Sequence, residues 1–339
     1  MSTHSEEFMS EKKIQIGGQA VIEGVMMRGP EHLATAVRRR DGSIEVQKKP
    51  FISITKTHPI YKRPVIRGFV SLIEMMKIGI QTLNYSADIW EKDNMEAPIQ
   101  EEGTDKLTDI QDPKINEIQT TKSTSFRKKM EEYLTYVAGF GLAILLFGFL
   151  PYWLASLLNL EKNNIYFNLF SGSLRIVFFV IYVYCISFMK EIKRVFEYHG
   201  AEHKAVFAYE QKAPLTVESV KEFITIHPRC GTSFMFIVLL IAILIFSIID
   251  TFVAWYWNFI PNFLQRFLYH LPFIPLISGI SYEFLKLSEK KGNNILMKLF
   301  TKPGMALQNI TTQPPDELQI EVAIVALKEA LNLENNDTN

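Results

Sequence analysis

Gly139-Phe-Gly-Leu-Ala-Ile-Leu-Leu-Phe-Gly-Phe-Leu150 lies within Tyr133–Leu158, a stretch with no charged residue. A helix rises about 1.5 Å per residue and a bilayer core is about 30 Å thick, so this stretch is long enough to span. Three more apolar segments follow it. Leu174–Met189 comes after Ser173, and Phe234–Trp257 is interrupted only by Asp250. The last, about Leu271–Leu287, starts with Pro272 and Pro275 and ends with Glu283 and Lys286. Residues 1–132 and 288–339 are polar by contrast. The pattern predicts a mainly α, polytopic membrane protein with about four transmembrane helices and a small N-terminal α+β cytoplasmic region.

Charge orients these spans. The loop 190–232 carries Lys190, Lys193, Arg194, Lys204, Lys212, Lys221 and Arg229, whereas 159–173 has only Lys162 and 258–270 only Arg266. Basic residues collect on the cytoplasmic side. Both termini and the middle loop are therefore expected in the cytoplasm, with the lipid bilayer as the expected partner. The chain has 36 basic and 36 acidic residues, so net charge argues for no nucleic acid. Of the two cysteines, Cys185 lies in an apolar run and Cys230 in a polar loop, which indicates no disulfide framework.

Upstream of the spans, residues 14–90 read as a hairpin and helix region. Gly17, Gly18, Gly24 and Gly29 break up a strand-like pattern, implying tight turns or close backbone approach. Glu23 and Arg28 are the charges in that run; they pair with each other, point to water, or face a polar site. Asp41-Gly42 between Leu33–Arg40 and Ser43–Lys49 signals a hairpin. Val65–Trp90 has helical periodicity, but Arg67, Glu74 and Lys77 argue for a helix on the membrane or on the hairpin rather than across the bilayer. Residues 91–132 read as a flexible linker, 133–287 as the membrane domain, and 288–339 as a cytoplasmic tail. In that tail Asp316 and Gln319 form a capping-box pattern for a helix over Glu317–Leu331, with Leu318, Val322, Val325 and Ala326 on one face.

The chemistry concentrates in Arg194–Lys204, where His199, Glu202 and His203 make an H-x-x-E-H string. The second span is expected to continue unbroken into Lys190–Glu210, with Gly200 the weak point of its pattern. On that helix both imidazoles share a face. His227-Pro-Arg-Cys-Gly-Thr-Ser233 adds His227 and Cys230. Imidazole and thiolate are good zinc ligands, so His199, His203, His227 and Cys230 form a candidate tetrahedral site. Three protein ligands would leave a position for water with Glu202 as general base, whereas four would make a closed structural site. The competing reading is two pairs of interfacial residues that bind no metal. Glu197, Lys204 and Arg229 are further polar candidates; the two cations are also what topology alone places there, and Arg229 could join the following helix N-terminus as an anion site.

Gly17–Arg28, Glu197–Lys204 and His227–Ser233, together with Pro303-Gly-Met-Ala-Leu-Gln308, Thr311-Thr312 and Glu321-Val-Ala-Ile324, resemble the YqhQ-like family of uncharacterised bacterial membrane proteins. The resemblance runs from about residue 14 to 331 outside the linker. It implies a multi-span protein of the bacterial plasma membrane and carries a label of metal-dependent enzyme. The resulting expectation is an integral membrane protein with a cytoplasmic zinc site that works as a metal-dependent hydrolase. Its alternative is a non-enzymatic scaffold or assembly factor with a structural His/Cys cluster.

Overall fold

A computed structural model describes residues 16–95, 120–160, 164–228, 230–258, 260–290 and 294–333. The chain divides into two compact units. One comprises Met1–Glu96, Val180–Phe246 and Phe267–Asn339, and the other Ala97–Phe179 and Ser247–Arg266.

The first unit is built on four strands, β1 Gly17–Val21, β2 Gly24–Arg28, β3 His32–Arg38 and β4 Ile44–Pro50. They form an antiparallel meander in the order β1-β2-β3-β4. Glu23, in the tight turn joining β1 and β2, takes a left-handed backbone, as does Gly42 in the Asp41-Gly42 turn. Both faces of the sheet are covered, so polar-apolar alternation disappears and Gly24, Val25, Met26 and Met27 are all buried. On one face Val25, Met27, Ala34 and Ala36 pack with Tyr198, Ala201 and Ala205 of α6 (Lys190–Glu210) and with Ile320, Ala323 and Leu327 of α12 (Glu317–Leu331). On the other face Val21 and Val37 meet Ile89 and Tyr85 of α2 (Ile66–Met95).

The charges within α2 have partners. Glu74 is buried and accepts from Ser53 Oγ and the Ile54 N–H at 2.7 Å each, capping the short helix α1 (Ile54–Thr57). Arg67 makes a forked ion pair with Glu283 of α10 (Ile274–Lys290). Small residues allow that contact: a Cβ on Gly68 would meet Gly279 Cα at 3.0 Å. Ile73, Met76, Ile80 and Leu83 are left as an outward apolar stripe.

Among the described residues three helical stretches, rather than the expected four, are long and apolar enough to cross a membrane: Tyr133–Leu157, Ile165–Ile186 and Gly231–Trp257. Helix α10 has 17 residues and ends in charge, which removes it from that set. The second and third lie in α5 (Asn164–Ile186) and α8 (Gly231–Trp257). Helix α5 stops at Ile186 instead of continuing into α6. The Ser187 hydroxyl donates to Tyr184 O at 2.6 Å, and Phe188 and Met189 make tightened three-residue bonds before α6 restarts at Lys190. A polar side chain competing for backbone carbonyls ended a run that apolar character alone would have continued.

In the second unit the first stretch begins with α3 (Thr120–Ala143), so helix extends into residues expected as linker; 96–119 lie outside the described residues. Ile144–Phe149 is a π-helical turn leading to α4 (Leu150–Leu157). Within this turn Phe147 O accepts from Arg175 Nε at 3.2 Å, which gives that cation a partner in an apolar segment. Asp250 pairs with Arg266 of α9 (Phe263–His270), whose guanidinium lies 4.4 Å from the Phe167 ring centre. The polar residues in these apolar segments are therefore partnered, as burial requires.

Helix α12 keeps its capping box, with Asp316 Oδ1 accepting from the Gln319 N–H at 2.7 Å and Gln319 Oε1 from the Asp316 N–H at 2.9 Å. Of the expected face, Val322 and Ala326 are buried and Val325 packs on the core, but Leu318 is exposed; Gln319, Ile320, Ala323, Leu327 and Ala330 complete the buried side, the alanines fitting the narrow gap between sheet and α6. Asp316→Ala should lower stability by about 1 kcal/mol in chemical denaturation, and Asp316→Asn, which still accepts, by much less.

Candidate metal centre

Helix α6 positions half of the centre. His199 and His203 sit one turn apart, with ring centroids 4.4 Å apart and edge to face. Glu202 is buried beside them and turns to β1, where a Cβ on Gly18 would meet the Glu202 carboxyl carbon at 2.7 Å. Only glycine lets the strand lie against this carboxylate, and the Gly18 backbone hydrogen-bonds to it. Burial pushes the Glu202 carboxyl well above the usual carboxylate range, partly opposed by His199, His227 and that backbone bond.

The other half comes from the segment leading into α8. Cys230 stands just before Gly231, the first residue of that helix, and the Ser233 N–H donates to its carbonyl at 3.1 Å. Its sulfur lies 3.3 Å from His199 Nε2, 3.2 Å from Thr232 Oγ1 and 3.5 Å from the Thr232 N–H. Gln308 of α11 (Ile295–Thr311) holds the segment in place. Its Oε1 accepts from the His227 N–H at 2.8 Å, and its Nε2 donates to His227 O at 2.9 Å and Ser233 Oγ at 3.0 Å.

His199, His203 and Cys230 offer ligand atoms that all lie within 4.8 Å of one another. Around one tetrahedral zinc, bonds of about 2.0–2.3 Å put ligand atoms about 3.3–3.6 Å apart, so this trio needs only small adjustments to fit. The tautomers suit the task as well. His199 Nδ1 meets Thr311 O at 2.8 Å, and His203 Nδ1 is bonded to Thr225 O. A carbonyl oxygen only accepts, so both Nδ1 atoms carry the proton and both Nε2 atoms keep a lone pair. Metal-binding histidines are oriented by this kind of backbone partner. Burial holds the His203 imidazole below its ordinary range, which keeps it neutral.

His227 does not join the trio. Its ring centre is 5.6 Å from that of His203 and 4.4 Å from that of Phe207, and its Nε2 lies 3.6 Å from Glu210 Oε2. It lines the same cavity as the three ligands, Glu202 and Gly18. That cavity holds about 90 Å³. A single water needs only about 10–15 Å³ of such space, so there is room for a cation together with water or a reacting group.

The remaining sequence candidates sit elsewhere. Glu197 accepts from Gln319 Nε2 at 3.0 Å and faces α12. Lys204 Nζ donates to Lys221 O at 2.6 Å and to Phe223 O, tethering the loop after α6. Glu23 does not pair with Arg28; it binds the Arg194 guanidinium and lies 3.3 Å from Tyr198 Oη. Arg28 stacks over Phe51 at 5.6 Å with Nη1 against Met75 Sδ. Arg229 lies outside the described residues. Sequence reasoning gave no site role to Gly18, Thr225, Gln308 or Thr311. The last two stood in the tail segments that carried the family resemblance, and nothing else in the sequence marks a carbonyl as an imidazole partner.

A family model described as "Protein of unknown function (DUF1385)" matches residues 63–333. The uncharacterized protein YqhQ of Bacillus subtilis (strain 168) is 32% identical over 329 residues, covering 96% of each chain. No solved structure matches.

Proposed function

We propose, from the premise that the chain belongs to the DUF1385 family of proteins of unknown function, that it is a membrane protein binding a zinc-like divalent cation on its cytoplasmic side for a hydrolytic reaction. One observation carries this reading: backbone carbonyls engage both Nδ1 atoms, while His199, His203 and Cys230 each bring a ligand atom within 4.8 Å of the others. Three protein ligands are the number found where a coordination position stays open. A divalent cation held there supplies Lewis-acid polarisation of a carbonyl or phosphoryl oxygen. Glu202 lines the cavity next to the ligands and takes the proton from the attacking water. His227 also lines the cavity, with its Nε2 3.6 Å from Glu210 Oε2, so it shapes the site without serving as a ligand.

The cytoplasmic placement is supported by charge bias and by parity. The sheet and α12 pack on one another, so the segments before and after the spans lie on one side of the bilayer and the chain must cross an even number of times. Three apolar helices alone would separate them. We assign the return to α9 and α10 together, a reading supported by their antiparallel run along α8: Phe246 stacks on His270 at 3.9 Å, and Ile237 and Ile241 pack with Ile277.

Glu202→Gln is expected to keep stoichiometric zinc and to lose at least about a hundredfold in turnover, measured by metal analysis beside a panel of ester, amide and phosphoester probes. Loss of zinc instead would make Glu202 a ligand and sink its role as base. The structural reading also has an observation behind it, since the same hydrogen bonds tie α6 to Thr225 and to the end of α11. X-ray absorption at the zinc edge separates the two. Two nitrogens, one sulfur and one oxygen indicate an open site; three nitrogens and one sulfur mean that His227 closes it.

A further inference from the structure

A second cavity, of about 310 Å³, lies where the end of β3, the last turns of α2 and the first turns of α6 meet. None of the metal-centre ligands lines it. Its size falls in the range of small-ligand pockets, about 300–1,000 Å³. Four arginines line it, Arg38, Arg39, Arg40 and Arg194, against two carboxylates, Glu23 and Asp93. Glu321 and Glu45, outside the lining, also pair with Arg38 and Arg39, so the four arginines are matched by four carboxylates in all.

Three of the arginines are held in place. Arg194 is gripped by Glu23, Arg39 Nη2 lies 2.6 Å from Asp93 Oδ1, and Arg38 Nη2 lies 2.5 Å from Glu321 Oε2. Such pairing fixes planar guanidinium forks instead of leaving them to sample solvent. Donors remain uncommitted all the same. Arg38 Nε is buried with no acceptor among the described residues, and Arg40 is exposed, with Asp93 as its charge neighbour but no hydrogen bond from its guanidinium among them. Trp90, half exposed, provides an aromatic wall. Arg194 stands eight residues past Ile186 (194 − 186), the last residue of a candidate span. Basic clusters and tryptophans so close to a span meet lipid phosphates.

We propose that this pocket binds a phosphate-bearing ligand, its phosphate taken by Arg38, Arg40 and Arg194 and the adjoining group resting on Trp90. Arginine recognition of phosphate is the chemistry that the exposed Arg40 fork offers, with the paired arginines beside it adding their remaining N–H groups. The phosphate can come from an anionic lipid headgroup or from a soluble phosphate compound. The proposal is independent of the metal centre.

The test uses the full chain in nanodiscs of phosphatidylcholine, alone or mixed with phosphatidylglycerol, followed by thermal unfolding with and without inorganic phosphate. Sodium chloride at matched ionic strength is the control. Phosphatidylglycerol alone raising the midpoint assigns a lipid headgroup, and inorganic phosphate raising it in phosphatidylcholine assigns a soluble ligand. In either case Arg40→Gln, at an exposed position with no side-chain hydrogen bond to lose, should weaken the apparent affinity about tenfold. Lys56→Gln, an exposed cation that does not line the pocket, should leave it unchanged. No midpoint shift with either probe, or equal responses from wild type and Arg40→Gln, would overturn the proposal.

Discussion

Cys230→Ala and His203→Ala are expected to be purified without zinc, while the wild-type chain carries one ion. Removing one of three ligands leaves two, and because disturbing even an outer-shell partner costs about 10–100-fold in affinity, loss of a ligand should exceed that. The stability readout follows by linkage. An ion binding only the folded chain stabilises it by about 4 kcal/mol when free metal is a thousand times Kd. Adding a chelator should therefore lower the wild-type unfolding midpoint, whereas either variant should unfold near the chelated wild-type value and ignore chelator. His227→Ala is the internal contrast. Its Nε2 faces Glu210, so this variant should retain the ion and keep its chelator response. If His227→Ala loses zinc as completely as Cys230→Ala, the site has four protein ligands and the open position does not exist.

How far this centre was legible in the sequence depends on what each part is made of. The His199–His203 pair is a matter of helical spacing, and His227-x-x-Cys230 of residue type, so the meeting of the two pairs could be anticipated from the string of letters. The exclusion of His227 could not. It depends on Glu210 and Phe207 two turns along α6, and on Gln308 gripping the His227 backbone from a helix that begins after the last apolar segment. Thr225 and Thr311 contribute carbonyl oxygens, which every residue has. The fold divides in the same way. Apolar runs gave the three long helices, but the break at Ser187–Met189 rests on one hydroxyl bonding back to Tyr184. The face of α12 was legible at Val322, Val325 and Ala326, but Leu318 turns outward and small Ala323 and Ala330 widen the buried side. The arginine pocket was invisible because Arg38–Arg40 read as a hairpin end, and only tertiary structure adds Arg194 and Trp90.

Gly200→Ala separates local helix preference from tertiary packing, and tertiary packing is expected to win. In an isolated helix this change is favourable by about 1 kcal/mol, and Gly200 read in the sequence as the weak point of α6. In the folded chain, the residues after α11 lie directly on it. The Gln313 N–H donates to Phe196 O at 2.9 Å, and a Cβ on Gly200 would collide with the Gln313 carbonyl oxygen and press on Pro315 Cδ at 3.3 Å. Backbone cannot rotate away as a side chain can, so the segment must lift. Overpacking of this kind typically costs about 1–3 kcal/mol, and the lost hydrogen bond adds about 1 kcal/mol. A net destabilisation of about 2 kcal/mol is expected in denaturant unfolding of the purified chain. The same displacement reaches the metal centre, because Thr311 lies two residues before Gln313 and its carbonyl orients His199. Gly200→Ala should therefore weaken zinc binding about 10–100-fold without touching a ligand, as loss of an outer-shell partner does. Gly139→Ala is the control, since nothing lies within 4 Å of its Cβ position. Only the helix preference remains there, so it should be neutral or mildly stabilising and keep full zinc affinity. Equal stability and equal zinc affinity in the two variants would mean that the α6–Gln313 contact does not hold His199 in place.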